Sequence, residues 1–210
     1  SQVVNAVAAS TNVALAANGG VASASSTYSA SFAASGTIDG ELAGAGWGSN
    51  RGWNDGTAGA YPDWLQVNFS GQKTIDKVVV YTVQDNYAAP SAPTDSMTFS
   101  LYGITGFQVQ TWNGSTWVTQ ATVSGNNLVK RTVTFGAVAT DRIRINVTSA
   151  LASYSRIVEV EAYASADDPV NLNPDNVEPE FLAPMAFLWD EDAGRYVLAD
   201  EADVHVSNLR

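Results

Sequence analysis

The 210 residues are 45% hydrophobic, contain no cysteine and carry a formal charge of −11. That is enough apolar material for one good-sized packed domain with a segment appended, and the missing cysteines exclude a disulfide framework, a thiolate zinc site and a cysteine nucleophile. The acidic balance excludes the basic footprint that nucleic acid requires and disfavours an anionic membrane surface.

The charge is unevenly spread. Residues 1–164 hold ten Asp/Glu against eight Lys/Arg, whereas residues 165–210 hold eleven against two. This change of composition places a boundary near Ser165. No apolar run reaches membrane-spanning length, and the first residues lack a basic signal-peptide start. Ser1 is the kind of residue left when an initiator Met is removed, so cytoplasmic synthesis is expected, with a cleaved leader or a trimmed chain as the alternatives.

Residues 1–11 are small and polar and read as an arm. Residues 12–26 read as two extended pieces about Asn18-Gly19-Gly20, and the alanine-rich residues 28–40 as one or two helical turns before Asp39-Gly40. Residues 48–63 (GSNRGWNDGTAGAYPD) show no apolar periodicity and contain four glycines and a proline. A loop of that length in a compact domain is usually functional or mobile. Strict alternation over residues 64–69 then predicts a half-buried strand with Leu65, Val67 and Phe69 on one face.

Residues 75–83 (IDKVVVYTV) are apolar at nearly every position, the pattern of a strand covered on both faces. Residues 84–96 form a second polar-aromatic loop. Residues 107–112 and 117–123 flank Asn113-Gly114-Ser115-Thr116, where the Asn-Gly pair signals a hairpin. Alternation at 129–135 and 143–147, and a final apolar run at 156–163, complete a set of short strands. Strands at this spacing indicate an all-β antiparallel sandwich or barrel.

Beyond this set, residues 165–184 are acidic and proline-rich, an extended linker that collapses poorly. Residues 185–210 contain a second small hairpin, with residues 187–189 and 196–198 flanking an acidic turn. A lone hairpin is marginal in water. It is expected to dock on the main domain or on a partner, so a protein partner or self-association through residues 165–210 is predicted.

The order Asn12-Val13-Ala14, Ile38-Asp39-Gly40, Trp47, Trp64-Leu65-Gln66-Val67, Val78-Val79-Val80, Trp112-Asn113-Gly114, Arg142-Ile143-Arg144-Ile145 and Ile157-Val158-Glu159-Val160-Glu161 resembles the discoidin or coagulation-factor C-type domain. This is a branch of the galactose-binding-like superfamily that includes the family 32 carbohydrate-binding modules. The resemblance covers roughly residues 12–163. It implies an eight-stranded antiparallel jelly-roll sandwich whose loops at one end bind sugars, lipid headgroups or proteins, mostly without catalysis. Fold alone does not choose among these ligands.

The resemblance also implies a structural calcium ion beneath the loops, and Asp39 and Glu159 match two of its ligands. Residues 41–46 (ELAGAG) are one residue longer than usual and offer no Thr or Ser. Calcium takes six to eight oxygens, so two carboxylates plus carbonyls form one reading. The other makes Asp39 a turn cap and Glu159 a partner of Arg142 or Arg144.

Sugar recognition pairs an aromatic face with planar groups that hydrogen-bond vicinal hydroxyls. Trp53, Asn54, Asp55 and Tyr61 supply that chemistry on the first loop, with Arg51 beside them. Asp85, Asn86 and Tyr87 supply it on the second, and Tyr154 and Arg156 just before the last strand. The competing reading closes Trp53 and Tyr61 over the loop as a small core and folds Asn54-Asp55 into an Asx turn. Trp47, Trp64, Trp112 and Trp117 read as core or hairpin-face residues. The single histidine, His205, lies in the tail, so no Ser-His-Asp relay fits the domain and no enzyme is expected.

Two functions follow as expectations. One is a non-catalytic carbohydrate-binding or adhesion module that attaches a larger particle to a glycan surface. The other is a structural decoration protein of a large assembly such as a phage capsid or tail, anchored through its terminal arms.

Overall fold

The computed structural model of the protein describes residues 10–164 and the strands at 187–190 and 195–198. By contacts the chain divides into two compact units, Ser1–Asp168 and Pro169–Arg210. Among the described residues the first unit holds seven strands: β1 (Val21–Ala24), β2 (Trp53–Asn54), β3 (Asp63–Thr82), β4 (Ile104–Trp112), β5 (Trp117–Val123), β6 (Lys130–Ala150) and β7 (Arg156–Ala164).

Where the alternation predicts four separate strands, the structure has two long ones. The stretches at 64–69 and 75–83 join in the 20-residue β3, and those at 129–135 and 143–147 in the 21-residue β6. The polar residues between the apolar stretches bend the chain without ending the strand. In β3 the register with β6 jumps between Asn68 and Lys73, across Gly71 at φ 77°. Such an irregularity increases the local twist and turns a strand from one layer into the next.

Two layers result. The first half of β3 and the second half of β6 lie with β1, β4 and β5; the second half of β3 and the first half of β6 lie with β7 and β2. Every pairing is antiparallel, as predicted for the sandwich. Leu65, Val67, Phe107, Val109, Ile143 and Ile145 of the first layer share one core with Ile75, Val78, Val80, Val133, Val160 and Ala162 of the second. Burying each such Val, Leu, Ile or Phe side chain stabilises the fold by roughly 1.5–3 kcal/mol. The other face of β3 is covered as well. Val79, Tyr81 and Val83 cluster with Val158 beneath Leu42, Trp47, Tyr102 and Tyr163, which accounts for the unbroken apolar run.

Loops hold most of the departures. In residues 12–26 only the second piece is a full strand: Asn12 makes an isolated bridge to Tyr163, and a 3-10 turn at Ala16–Asn18 leads through Gly19, at φ 89°, into β1. Residues 28–40 form two 3-10 turns, Ala30–Phe32 and Ala34–Thr37. The β4–β5 hairpin forms as read, with Asn113 Oδ1 accepting the amides of Ser115 and Thr116, and Gly114 at φ 100°.

In the second unit, β8 (Phe187–Asp190) pairs antiparallel with β9 (Arg195–Leu198). The predicted arm, the linker and the docking of the tail fall on residues outside the described ones. No helix among the described residues is long and apolar enough to cross a membrane.

Candidate functional site

The loop predicted over residues 48–63 is interrupted by β2, and this short strand organises the site. Trp53 pairs with Ile157 and Asn54 with Arg156 of β7. Gly52, at φ 93°, lets the chain enter β2 under Trp47; a Cβ there would lie 2.5 Å from Trp47 Cζ3 and 3.1 Å from the Ile157 carbonyl oxygen. Trp53 is therefore drawn wholly inside. It is fully buried, and its indole Nε1 donates to the Ser26 carbonyl at 2.8 Å. This corrects its expected role as a stacking face, because no ligand can reach the ring.

Asp55 is corrected in the same way. It is fully buried, with Oδ1 accepting the Ser155 amide at 2.6 Å and Oδ2 the Thr57 amide at 2.8 Å. The second bond closes an Asx turn. Ser155 also donates its hydroxyl to Asp63 at 2.8 Å, so one serine ties both acids to the start of β7. Burial pushes the Asp63 carboxyl above its ordinary range, and nearby Asp55 adds to the rise against the Ser155 bond. Tyr61 is half-buried and donates its hydroxyl to the Ala150 carbonyl at 3.3 Å. Both support the loops, and neither faces an open site.

Asn54 and Arg156 do face one. A pocket of about 330 Å³ is lined by Phe32, Trp47, Asn54, Val83, Tyr87, Tyr102 and Arg156. Asn54 is buried, and its Oδ1 has no hydrogen-bond partner. A buried amide oxygen left unpaired costs about 1–3 kcal/mol. Arg156 lies opposite it in the β2–β7 register. Its Nη1 donates to the carbonyls of Leu151 at 3.2 Å and Tyr154 at 3.3 Å, and its guanidinium sits 5.5 Å from the Tyr102 ring centre and 5.3 Å from that of Tyr154. Burial lowers its pKa, partly offset by Asp55. An arginine keeps its charge through such a change.

The aromatic walls come from separate loops. Phe32 packs on Trp47 with ring centres 5.2 Å apart, and Tyr87 on Tyr102 at 5.7 Å. Tyr87 is 47% exposed and is the free rim of the pocket. Asp85, expected as a contact, is instead the clamp behind that wall. It accepts the amides of Ser100 at 2.8 Å and Leu101 at 2.9 Å, along with the Ser100 hydroxyl. Burial works against its charge, but the donors from Leu101 and Ser100 prevail and hold its pKa below the ordinary value. Asn86 is exposed and closes its own turn onto the Ala89 carbonyl. Tyr154 meets Tyr28 edge-on and braces Arg156. Arg51 points away, 3.9 Å from Asp39.

Of the predicted site residues, then, the fold gathers Asn54, Tyr87 and Arg156 in one pocket. Trp53, Asp55, Tyr61 and Asp85 stand behind it as supports, and Arg51, Asn86 and Tyr154 do not line it. Phe32, Trp47 and Tyr102 line it and were missed. Trp47, expected in the core, does rest on the second apolar cluster while showing its other side to the pocket.

Asp39 and Glu159 come together beneath the neighbouring loop. Glu159 is fully buried, and its carboxylate accepts the Gly40 amide at 3.0 Å and the Asp39 amide at 3.2 Å. Asp39 Oδ1 caps the turn by accepting the Glu41 amide, and Glu41 turns onto the amides of Ala43 and Gly44. Glu159 pairs with neither arginine: Arg142 pairs with Asp141, and Arg144 bonds Gln110. Calcium needs a shell of oxygens, but amide hydrogens face these carboxylates. Among the described residues no group of three or more His, Cys, Asp or Glu gathers around a common point. Because amides already occupy both carboxylates, we propose that no calcium is held here, and the melting temperature is expected to be the same in calcium and in EDTA. A rise of several degrees in calcium, read by scanning calorimetry, would reinstate the metal.

Comparisons with known proteins agree with this architecture. The family model described as F5/8 type C domain matches residues 21–160. Chitosan-binding module 1 of a chitosanase/glucanase from Paenibacillus sp. IK-5 is 24% identical with a TM-score of 0.56, over 73% of this chain and 99% of that one. Module 2 of the same enzyme, solved with chitotriose, is 21% identical with a TM-score of 0.54, over 73% and 100%. The family 32 carbohydrate-binding module from C. perfringens NanJ, solved with galactose, is 23% identical with a TM-score of 0.50, over 69% and 93%. At these identities the likeness is one of fold. No curated protein sequence matches this one. With two thirds of its length matched by one family model and a two-layer antiparallel sandwich to go with it, the chain belongs to the F5/8 type C, or discoidin, domain family.

Proposed function

We propose that the protein is a non-catalytic carbohydrate-binding module that attaches something larger to a glycan surface through the pocket between Trp47, Asn54, Tyr87, Tyr102 and Arg156. The observation that carries this reading is the unpaired Oδ1 of buried Asn54 in a pocket that Arg156, its partner in the β2–β7 register, also lines. An acceptor and a donor side by side match two vicinal hydroxyls, and the aromatic walls suit the C–H faces of a sugar ring. Structures of similar fold were solved with galactose and chitotriose, which supports a saccharide as the occupant. A pocket this small takes one or two sugar units, so single-site affinity is modest and avidity through repeated copies supplies the rest.

A glycan-array screen followed by calorimetry on the best ligand tests this. Tyr87→Ala removes an exposed ring and leaves the core alone, so binding is expected to weaken about tenfold, a change of about 1.4 kcal/mol. Asn54→Ala is expected to weaken it at least as much. Binding that survives both substitutions would remove the pocket from the account.

A further inference from the structure

A second surface of the main unit carries recognition chemistry that the loop pocket does not use. It is the outward face of the layer formed by β1, the first half of β3, the second half of β6, β4 and β5. The register sets Gln66 opposite Arg144, Arg144 opposite Gln110, and Gln110 opposite Thr119, so one row crosses four strands. The adjacent row sets Trp64, Asn146 and Gln108 side by side. At the hairpin end Trp112 lies opposite Trp117, with ring centres 5.4 Å apart.

Outward residues of a solvated sheet are ordinarily mixed charges and hydroxyls. Here they are planar amides, tryptophans and arginines. The amides are ordered by one another: Gln108 Oε1 accepts from Asn146 at 3.2 Å and from Gln110 at 3.0 Å, and Gln66 donates to Asn68 at 2.8 Å. The face is thus built, with side chains held before any ligand arrives.

Arg144 decides the chemistry. It is half-buried, with its guanidinium 4.5 Å from the Trp117 ring centre and its Nε donating to Gln110 at 2.9 Å. No carboxylate among the described residues pairs with it, and its Nη atoms donate to no described group, whereas neighbouring Arg142 is held by Asp141 at 2.8 Å. Burial lowers its pKa without removing the charge. A positive, preorganised fork beside two tryptophans is complementary to an anionic group attached to a ring that can lie on the indoles.

We propose that this sheet face is a second glycan site, distinct from the loop pocket, which takes an extended anionic polysaccharide. A carboxylate or sulfate meets Arg144, and sugar rings lie along Trp117 and Trp112. The half-buried amides of Gln66, Gln108 and Asn146 hydrogen-bond the ring hydroxyls, while buried Gln110 holds Arg144 in place from behind. The site reads charge and ring together, so a neutral glycan lacks the anchor and a plain acidic peptide lacks the rings.

Titrating the full chain with an oligogalacturonate hexamer, a chondroitin sulfate hexasaccharide, a neutral galactan hexamer and a hexaglutamate peptide tests this. Amide chemical shifts report where each binds. The expected result is binding of the uronate or the sulfated oligomer, with shifts confined to β3, β4, β5 and β6 around Arg144. The two oligomers separate a carboxylate from a sulfate ligand. Affinity should fall at least tenfold in Arg144→Gln and in Trp117→Ala, remain unchanged in Tyr87→Ala, and weaken as salt rises. The shift map of the unsubstituted protein stands even if Trp117→Ala folds poorly. The proposal is overturned if neither anionic oligomer binds, if the peptide or the neutral hexamer binds as tightly, or if shifts fall around Tyr87 and Tyr102 and Tyr87→Ala abolishes them. Loss of the loop-pocket function leaves this outcome untouched, because the two sites share no residue.

Discussion

Trp53→Ala is expected to destabilise the domain by about 3–5 kcal/mol, the range for emptying a buried tryptophan site. The ring is fully buried among the main core residues, and its Nε1 satisfies the Ser26 carbonyl. The substitution leaves a cavity and orphans that carbonyl, and both add to the lost transfer energy. A loss of this size is a large share of the 5–15 kcal/mol that holds a typical domain together. Denaturant melts measure it directly. Because β2 holds Asn54 opposite Arg156 through the same two residue pairs, glycan binding should fall in Trp53→Ala together with stability. A variant that keeps its midpoint and loses only binding would return Trp53 to the ligand surface.

Stability is expected to decline as pH rises from about 5 to about 8, chiefly through Glu159. Burial, reinforced by Asp39 and opposed by the Gly40 and Asp39 amides, pushes its carboxyl up to about 8. A folded-state pKa above the unfolded value means that the native protein binds the proton more tightly between the two. Protonation therefore favours the native state across that window, and the contribution is lost as pH climbs through it. Asp63, also raised by burial with Asp55 nearby, has the same sign. The depressed Asp85 and Asp141 act oppositely and are felt only on acidification below about pH 4. The melting temperature should thus be several degrees higher at pH 5 than at pH 8.5, and Glu159→Gln, which mimics the protonated acid, should remove most of the difference. An equal slope in both proteins would show that Glu159 is not the titrating group.

Local sequence pattern was sufficient to mark the strands of the β scaffold. Period-two alternation at 64–69 and 143–147 marks buried faces because successive side chains on a strand point to opposite sides. The run at 75–83 marks a strand covered twice, and it is. Asn113-Gly114 specified its hairpin through local turn chemistry alone. What joins these pieces was not legible. Whether polar residues 70–73 end a strand or bend it depends on whether partner strands continue beside them, and that is a long-range property.

The candidate site divides along the same line. The loops rich in Asn, Asp, Tyr and Trp were legible as recognition chemistry, but not which side chains face outward. Asp55 and Asp85 had the right groups for a ligand and spend them on Ser155, Ser100 and Leu101. Trp53 and Trp47 sit six residues apart, and the structure exchanges their expected places, ligand face for the first and core for the second. Only the two-residue pairing of β2 with β7 sends the first into the core and leaves the second on the pocket wall, because backbone pairing fixes where each side chain must point.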